Sequence, residues 1–445
     1  MKEKPKLEIE YLPLSTIKPY KNNPREHSPK QISQIAKSIK QFGFTASILI
    51  DEDNEILAGH ARLEAAKIIN LKTVPTVMIK HLSDAEKKAY RVADNQLCLV
   101  GKWDFDLLKL EFAEIEKLEN LDFSLDITGF ETGEIDVILD GSLADKDKKL
   151  NEKDNTIPFI PKNEIISKFG DIWELGNHKI LCGDALQSEN YKKLLGDKKA
   201  DMICVDFPYN LHVDSFACSG KIQHKNFAMA AGEMSSEEFQ EFLNKNFKLL
   251  KEYSKNGSLH YAFMDWRHIK EIILAGTDIY EHYINLCLWS KDNAGMGSLY
   301  RSRHELIFIF KHGNRPHTNN VQLGSMGRYR TNIFEYPGVN SFGKNRENLK
   351  LHPTCKPVEM IKDMVLDVTN RGDLVLDSFL GSGTTLIASE KINRKCFAME
   401  IEPLYVDTAI RRWQDLTGKS AVHVESGKTY RELLEIKKEK KNGRK

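Results

Sequence analysis

Two short stretches of this 445-residue chain carry residue types suited to chemistry on a flat, amine-bearing molecule. The first is Asp206-Phe207-Pro208-Tyr209, directly after the apolar run Ala200 to Val205. A buried strand there sets the tetrapeptide at the carboxyl edge of a sheet, where open α/β sheets bind ligands. A carboxylate accepts from an amino group, a proline stiffens the turn and an aromatic ring stacks on a planar base. Taken alone, the four residues read more simply as a proline turn with a surface tyrosine. The second stretch is Asp377-Ser378-Phe379-Leu380-Gly381-Ser382-Gly383-Thr384-Thr385, with Glu400 placed 19 residues after Gly381. Glycines let the backbone approach a ligand and a helix N-terminus favours an anionic group. A carboxylate at the end of the next strand can take two ribose hydroxyls. A tight turn with no ligand competes evenly for a lone G-x-G, and Leu386 stands where a dinucleotide fingerprint needs its third glycine.

The elements that must position these residues follow from periodicity. Ala200 to Val205, Ser258 to Phe263, Ile284 to Trp289, Glu305 to Phe310, Leu374 to Asp377 and Lys395 to Ile401 read as strands. Helical patterns lie between them, at Ser235-Ser236-Glu237-Glu238 with Phe239, Phe242, Leu243, Phe247 and Leu250, at Met360 to Val368, and at Tyr405 to Leu416. Such alternation implies an α/β fold with a mostly parallel, doubly wound sheet. Residues 1–140 form a smaller α/β unit with trailing helices, 141–160 a polar linker, 161–420 the main domain and 421–445 a basic tail, frayed from Lys437.

Lys and Arg number 65 against 64 Asp and Glu, which excludes a uniformly basic coat. The seven cysteines show no C-x-x-C pair, so a zinc ribbon and a disulfide framework are disfavoured, no metal is expected, and a reducing cytoplasm fits. Cys204 and Cys287 lie in apolar strands and read as core thiols. No apolar run reaches the roughly 18 residues of a membrane span.

Read together, the stretches resemble the β-class amino DNA methyltransferases. Asp206-Phe207-Pro208-Tyr209-Asn210 is similar to their D-P-P-Y segment, and Asp377 to Thr385 to their D-P-F-x-G-S-G-T-T segment. His352-Pro353-Thr354-Cys355-Lys356-Pro357 resembles H-P-T-x-K-P, and Ala398 to Tyr405 the acidic segment after the glycine loop. Phe227 to Ala230, Gly232 to Ser235 and Trp289 to Glu305 add further likeness to bacterial and phage members. The front part resembles a ParB-like (ParB/sulfiredoxin) domain through Gly59-His60-Ala61-Arg62, on a strand-to-helix turn that suits either a phosphate or a purely structural role.

The resemblance implies a Rossmann-like methyltransferase sheet, S-adenosylmethionine as cofactor, double-stranded DNA as partner and methyl transfer to the exocyclic amine of a flipped base. Asp206, Phe207, Pro208 and Tyr209 are the implied catalytic residues, through the Asp206 carboxylate, the carbonyl of residue 207 and the Tyr209 ring. Asp377, Phe379, Gly381, Gly383, Thr384, Glu400, Asp184 and Lys356 are the implied cofactor residues, although a turn role suits Asp184 as well. The acid at 206 favours adenine N6, with cytosine N4 as the alternative. Target recognition is expected at about residues 290–350. Between 301 and 356 stand ten Lys or Arg against three acids, and Arg301, Arg303, Arg328, Arg330, Lys344 and Arg346 are the expected phosphate contacts. Two departures, Phe207 for Pro and Ser378 for Pro, support a rival reading: a DNA-binding regulator whose methyltransferase half is inactive. The recognition sequence, a homodimer and a restriction partner stay open, and the setting implied is the cytoplasm of a bacterium or its phage.

Overall fold

The computed structural model describes residues 6–97, 101, 103–118, 123–140, 154–211, 232–292, 294, 299–321, 330–338 and 355–442. The chain divides into two compact units, Met1–Asp145 and Lys146–Lys445.

The first unit holds four strands, β1 (Ile9–Pro13), β2 (Ile48–Ile50), β3 (Ile56–Ala58) and β4 (Thr73–Met78), in the order β1-β4-β2-β3. Only β2 and β4 run parallel. Ser28 accepts from the Gln31 N–H and Pro29 follows, so the helix Pro29–Phe42 starts where its cap and its pre-set φ coincide. Ile48, Ile50, Ile56, Leu63 and Val74 close the core, and the helices Phe105–Lys117 and Thr132–Asp140 form a satellite around Leu108, Phe112 and Ile135.

The second unit is a ten-stranded sheet. Its strands are β5 (Ile172–Leu175), β6 (His178–Cys182), β7 (Ala200–Asp206), β8 (Ser254–Met264), β9 (His282–Ser290), β10 (His304–Lys311), β11 (Ile333–Glu335), β12 (Leu374–Asp377), β13 (Lys395–Glu400) and β14 (Val422–His423). They lie in the order β11-β9-β10-β8-β7-β12-β13-β6-β5-β14. The five central strands, β8-β7-β12-β13-β6, are mutually parallel; on one flank β10 pairs antiparallel with both β8 and β9 and β11 pairs parallel with β9, and on the other β5 pairs antiparallel with both β6 and β14. Helices cover both faces, so the middle of β7 is apolar on both sides: Met202 and Cys204 enter one core, Ile203 and Val205 the other. Cys287 is also a core thiol, and burial pushes it up to about 12. Ser235 and Glu238 form a reciprocal capping box and start the helix Ser236–Glu252 at the expected residue.

The C-terminal stretch corrects the expected tail. Val422–His423 pairs with β5 and residues Tyr430–Asn442 are helical. The Tyr430 side chain is buried, its ring 5.5 Å from Trp173 and its hydroxyl 3.0 Å from Asp407. Abundant lysine gives the segment the look of a frayed end, whereas Ala421, Tyr430 and Leu433 bind it to the core. Among the described residues no helix is long and apolar enough to cross a membrane.

Candidate active site

The parallel centre of the sheet brings the carboxyl ends of β6, β7, β12 and β13 to one edge. Asp206 ends β7, Asp377 ends β12, Glu400 ends β13, and Asp184 lies two residues beyond β6. Strands β7 and β12 are neighbours in space yet far apart in sequence, the switch point where α/β sheets hold ligands.

At Asp206 four further side chains converge. Its Oδ1 accepts from the Tyr209 hydroxyl at 2.8 Å and its Oδ2 from Lys356 Nζ at 2.6 Å. The same hydroxyl is 2.9 Å from Glu305 Oε2, and Glu305 Oε1 pairs with Lys291 Nζ at 2.5 Å. Partial burial pushes the Asp206 carboxyl up, Lys356 opposes that and Glu305 adds to it. Burial also works against ionisation of Glu305, but Lys356 and Lys291 outweigh it and hold that carboxyl down at about 2. Lys356 is held above the ordinary lysine range by Asp206 and Glu305, against its own burial.

The Phe207 ring points away from this cluster. It is 2% exposed and packs edge-on against Phe242 (6.4 Å between centroids), Phe247 (5.4 Å) and Phe379 (5.5 Å). The bulky residue in the D-P-P-Y position is therefore a core residue, and through Phe379 it joins the 206–209 turn to the glycine loop. Asn210, in a left-handed backbone at φ 50°, clamps the turn by bonding the Met234 carbonyl and the N–H groups of Gly232 and Met234.

The glycine loop runs from Asp377 to the helix Thr384–Lys391. Gly381 and Gly383 both adopt left-handed φ, 54° and 92°. A Cβ on Gly383 would stand 2.8 Å from that of Ala409, so close packing on the helix Pro403–Thr417 already requires glycine there. The Gly381 N–H donates to Glu400 Oε2 at 2.8 Å, and Glu400 Oε1 accepts from the Glu402 N–H. Burial pushes the Asp377 carboxyl up to about 7, opposed by bonds from Thr385 and the Phe379 N–H and reinforced by Asp206 and Glu400. A cluster of carboxylates at strand ends beside a glycine turn suits a cofactor with a sulfonium, an ammonium and a ribose diol. The residues present fit S-adenosylmethionine. Asp377 would take the ammonium and Glu400 the ribose.

Several expected roles change. Lys356 bonds Asp206 and Tyr209 rather than the glycine loop, although its neighbour Cys355 touches Ser382 there at 3.1 Å. Arg330 is not a surface phosphate contact: its guanidinium pairs with Asp363 at 2.5 Å and Asp367 at 3.0 Å, inside the fold. Asp184 caps its own turn, accepting from the Leu186 N–H at 2.9 Å. Arg301 and Arg303 are exposed at the catalytic edge, just before β10. Arg328, Lys344, Arg346, His352 to Thr354 and Phe227 to Ala230 lie outside the described residues. Glu305 and Lys291 were not expected. The one local sign of Glu305 is an acid near the head of an apolar strand; pairing of β10 with β8 brings it to the site, and pairing with β9, Trp289 against Glu305, brings Lys291 to it.

In the front unit Gly59 turns the chain at φ 110°, His60 Nε2 accepts from the Tyr20 N–H, and Arg62 donates to the carbonyls of Ala46 (2.9 Å) and Ser47 (2.5 Å). These bonds tie His60 and Arg62 to neighbouring backbone.

Comparison with known proteins agrees with this architecture. A family model described as DNA methylase, of the N6/N4 type, matches residues 200–411, and one described as the ParB N-terminal domain matches residues 1–96. The chain joins a ParB N-terminal domain to an N6/N4 DNA methylase domain. A third model, the ParB-methyltransferase HTH domain, matches residues 106–168, across the stretch read above as a linker. The ParB-like nuclease domain-containing protein YnaK of Escherichia coli (strain K12) is 46% identical over 19% of this chain and 95% of its own length. The type II methyltransferase M.HpaI of Haemophilus parainfluenzae is 27% identical over 53% of this chain and 74% of its own. The DNA adenine methyltransferase YhdJ of E. coli (strain K12) is 26% identical over 59% of this chain and 88% of its own.

Proposed function

We propose that this DNA methylase transfers a methyl group from S-adenosylmethionine to the N6 amine of adenine, extruded from double-stranded DNA. The observation that carries the reading is Asp206 at the end of β7, beside β12 and the Asp377–Glu400 edge. When bound, S-adenosylmethionine supplies an electrophilic methyl group. Asp206 and the carbonyl of Phe207 accept the two N–H bonds of the target amine, which turns its lone pair out of the ring plane. Tyr209 stacks on the base, and the proton leaving the methylated amine passes to a carboxylate oxygen of Asp206. Positioning in a preorganised site supplies the rate, with no covalent link to the chain. Carboxylate rather than hydroxyl at 206 favours adenine, in line with what the relative YhdJ is named for. Residues 161–420 carry the chemistry and 1–140 the accessory domain, in the bacterial cytoplasm where the substrate lies. Arg301 and Arg303 hold the duplex at the catalytic edge.

Sequencing of modified bases in DNA from cells expressing the chain tests this. N6-methyladenine at one sequence context is expected, and its loss in Asp206→Ala. N4-methylcytosine would overturn the adenine assignment. Unmodified DNA would favour the regulator with an inactive methyltransferase half, the reading that Ser378 and Phe207 suggest.

A further inference from the structure

Glu305 is the second residue of β10, and its register places it at the catalytic edge: Leu306 faces Met264, while the preceding residue of β8, Phe263, faces Asp206. Its side chain is 12% exposed. Lys356 Nζ reaches three oxygens, Asp206 Oδ2 at 2.6 Å, Glu305 Oε2 at 3.1 Å and the Tyr209 hydroxyl at 3.2 Å, which accounts for all three ammonium protons. The Tyr209 hydroxyl has one proton and two carboxylate oxygens in reach, one on Asp206 and one on Glu305. Lys291 closes the outer side of Glu305. Two carboxylates and two ammoniums thus form a neutral, mutually bonded group, with Tyr209 at its centre.

We propose that Glu305 is a positioning residue for methyl transfer: it anchors Lys356 against Asp206 and fixes the Tyr209 ring before the base arrives. This rests on the reading of the site as a DNA methyltransferase. Glu305 need not touch the base, because it acts through the two residues that it bonds. The charged and titratable groups facing Asp206 are Lys356, Glu305, Tyr209 on the same turn and Asp377 from β12; those facing Glu305 are Lys356, Lys291 and Tyr209. Glu305 opposes ionisation of Asp206 and Lys356 favours it.

The signs are therefore opposite for two variants. In Glu305→Gln the Asp206 carboxyl should fall by about one pH unit, the scale of one nearby charge, and in Lys356→Met it should rise by about as much. In Glu305→Gln the single-turnover methylation rate should also fall about 10- to 100-fold, the scale of a misplaced reacting group. Glu305→Asp keeps the charge and shortens the reach, so its Asp206 titration should match the parent while its rate falls. Two readouts decide: the acidic limb of kcat/KM against pH, and a carbon-13 NMR titration of the Asp206 carboxyl in cofactor-free protein, which needs no activity. Opposed shifts in the two variants, with retention in Glu305→Asp, support the proposal. Unmoved titration in Glu305→Gln, or the same profile in Gln and Asp variants, overturns it. A parent enzyme that leaves DNA unmethylated while the carboxyl shifts appear refutes the methyltransferase reading instead.

Discussion

The Asp377 carboxyl offers a sharp test of the cofactor site. It is 4% exposed, and burial beside Asp206 and Glu400 raises it from an ordinary 3.8 to about 7. In the unfolded chain it returns to the ordinary value. Between those two pH values the folded protein holds a proton that the unfolded chain has lost, so folding stability falls as pH rises from 3.8 to 7. A shift of that size is worth about 4 kcal/mol as an upper figure, a large part of a domain's stability. Asp377→Asn removes the penalty and keeps an oxygen for the Phe379 N–H. The variant should therefore gain on its parent by about 3 kcal/mol between pH 5 and pH 8, measured by denaturant unfolding without cofactor. Cofactor binding should move the other way. An ammonium beside the carboxylate favours the ionised form by about 1–3 pH units, so affinity for S-adenosylmethionine should tighten from pH 5.5 to 7 and level off above. In Asp377→Asn the affinity should be weak and flat with pH. A stability difference that does not change with pH, or a parent affinity flat from pH 5.5 to 8, refutes the reasoning.

Phe207→Ala should cost about 3–5 kcal/mol in unfolding free energy, because it opens the Phe207–Phe242–Phe247–Phe379 cluster, and a loss below 1 kcal/mol would contradict the packing seen. Asp206→Ala should abolish methylation while equilibrium binding of S-adenosylmethionine survives. Joint replacement of Arg301 and Arg303 by Ala should flatten the plot of log binding constant against log salt by about two contacts' worth, whereas Arg315→Ala should leave it unchanged; filter binding on duplex DNA reads both. Deleting residues 421–445 should lower the melting temperature, because Trp173 loses the Tyr430 ring.

The residues at strand ends were legible because their signals are local. An apolar run followed by an acid marks Asp206 and Asp377, and a glycine turn marks the loop between β12 and the next helix, whatever the rest of the fold does. The same locality gave the capping box at Ser235. Glu305 and Lys291 were hidden because their meaning depends on pairing: β10 must fold back antiparallel beside β8 before Glu305 nears Asp206, and β9 must pair with β10 before Lys291 meets Glu305. The docked C-terminal helix was hidden for a related reason. Three apolar contacts among many lysines leave a basic composition, and only the Trp173 surface gives them a partner.

The basic excess between 301 and 356 shows what a charge count measures. Lys356 is spent on Asp206 and Glu305, and Arg330 on Asp363 and Asp367, so neither guanidinium nor ammonium is offered to phosphate. Among the described residues the others, Arg301, Arg303, Lys311 and Arg315, are divided by β10 itself. The strand begins at the catalytic edge with His304 and ends at Lys311, seven steps of about 3.4 Å away, or roughly 24 Å. Arg315 lies beyond that far end, where its N–H bonds Asn256 near the start of β8. That distance exceeds the Debye length of about 8 Å at physiological salt, so a duplex docked over Asp206 feels Arg301 and Arg303 and hardly senses Lys311 or Arg315. Sequence proximity places Arg301 and Arg303 in one stretch with Lys311 and Arg315, at opposite ends of the strand. The antiparallel return of β10 separates them, and places Glu305 and the exposed arginines at the same edge as the reacting groups.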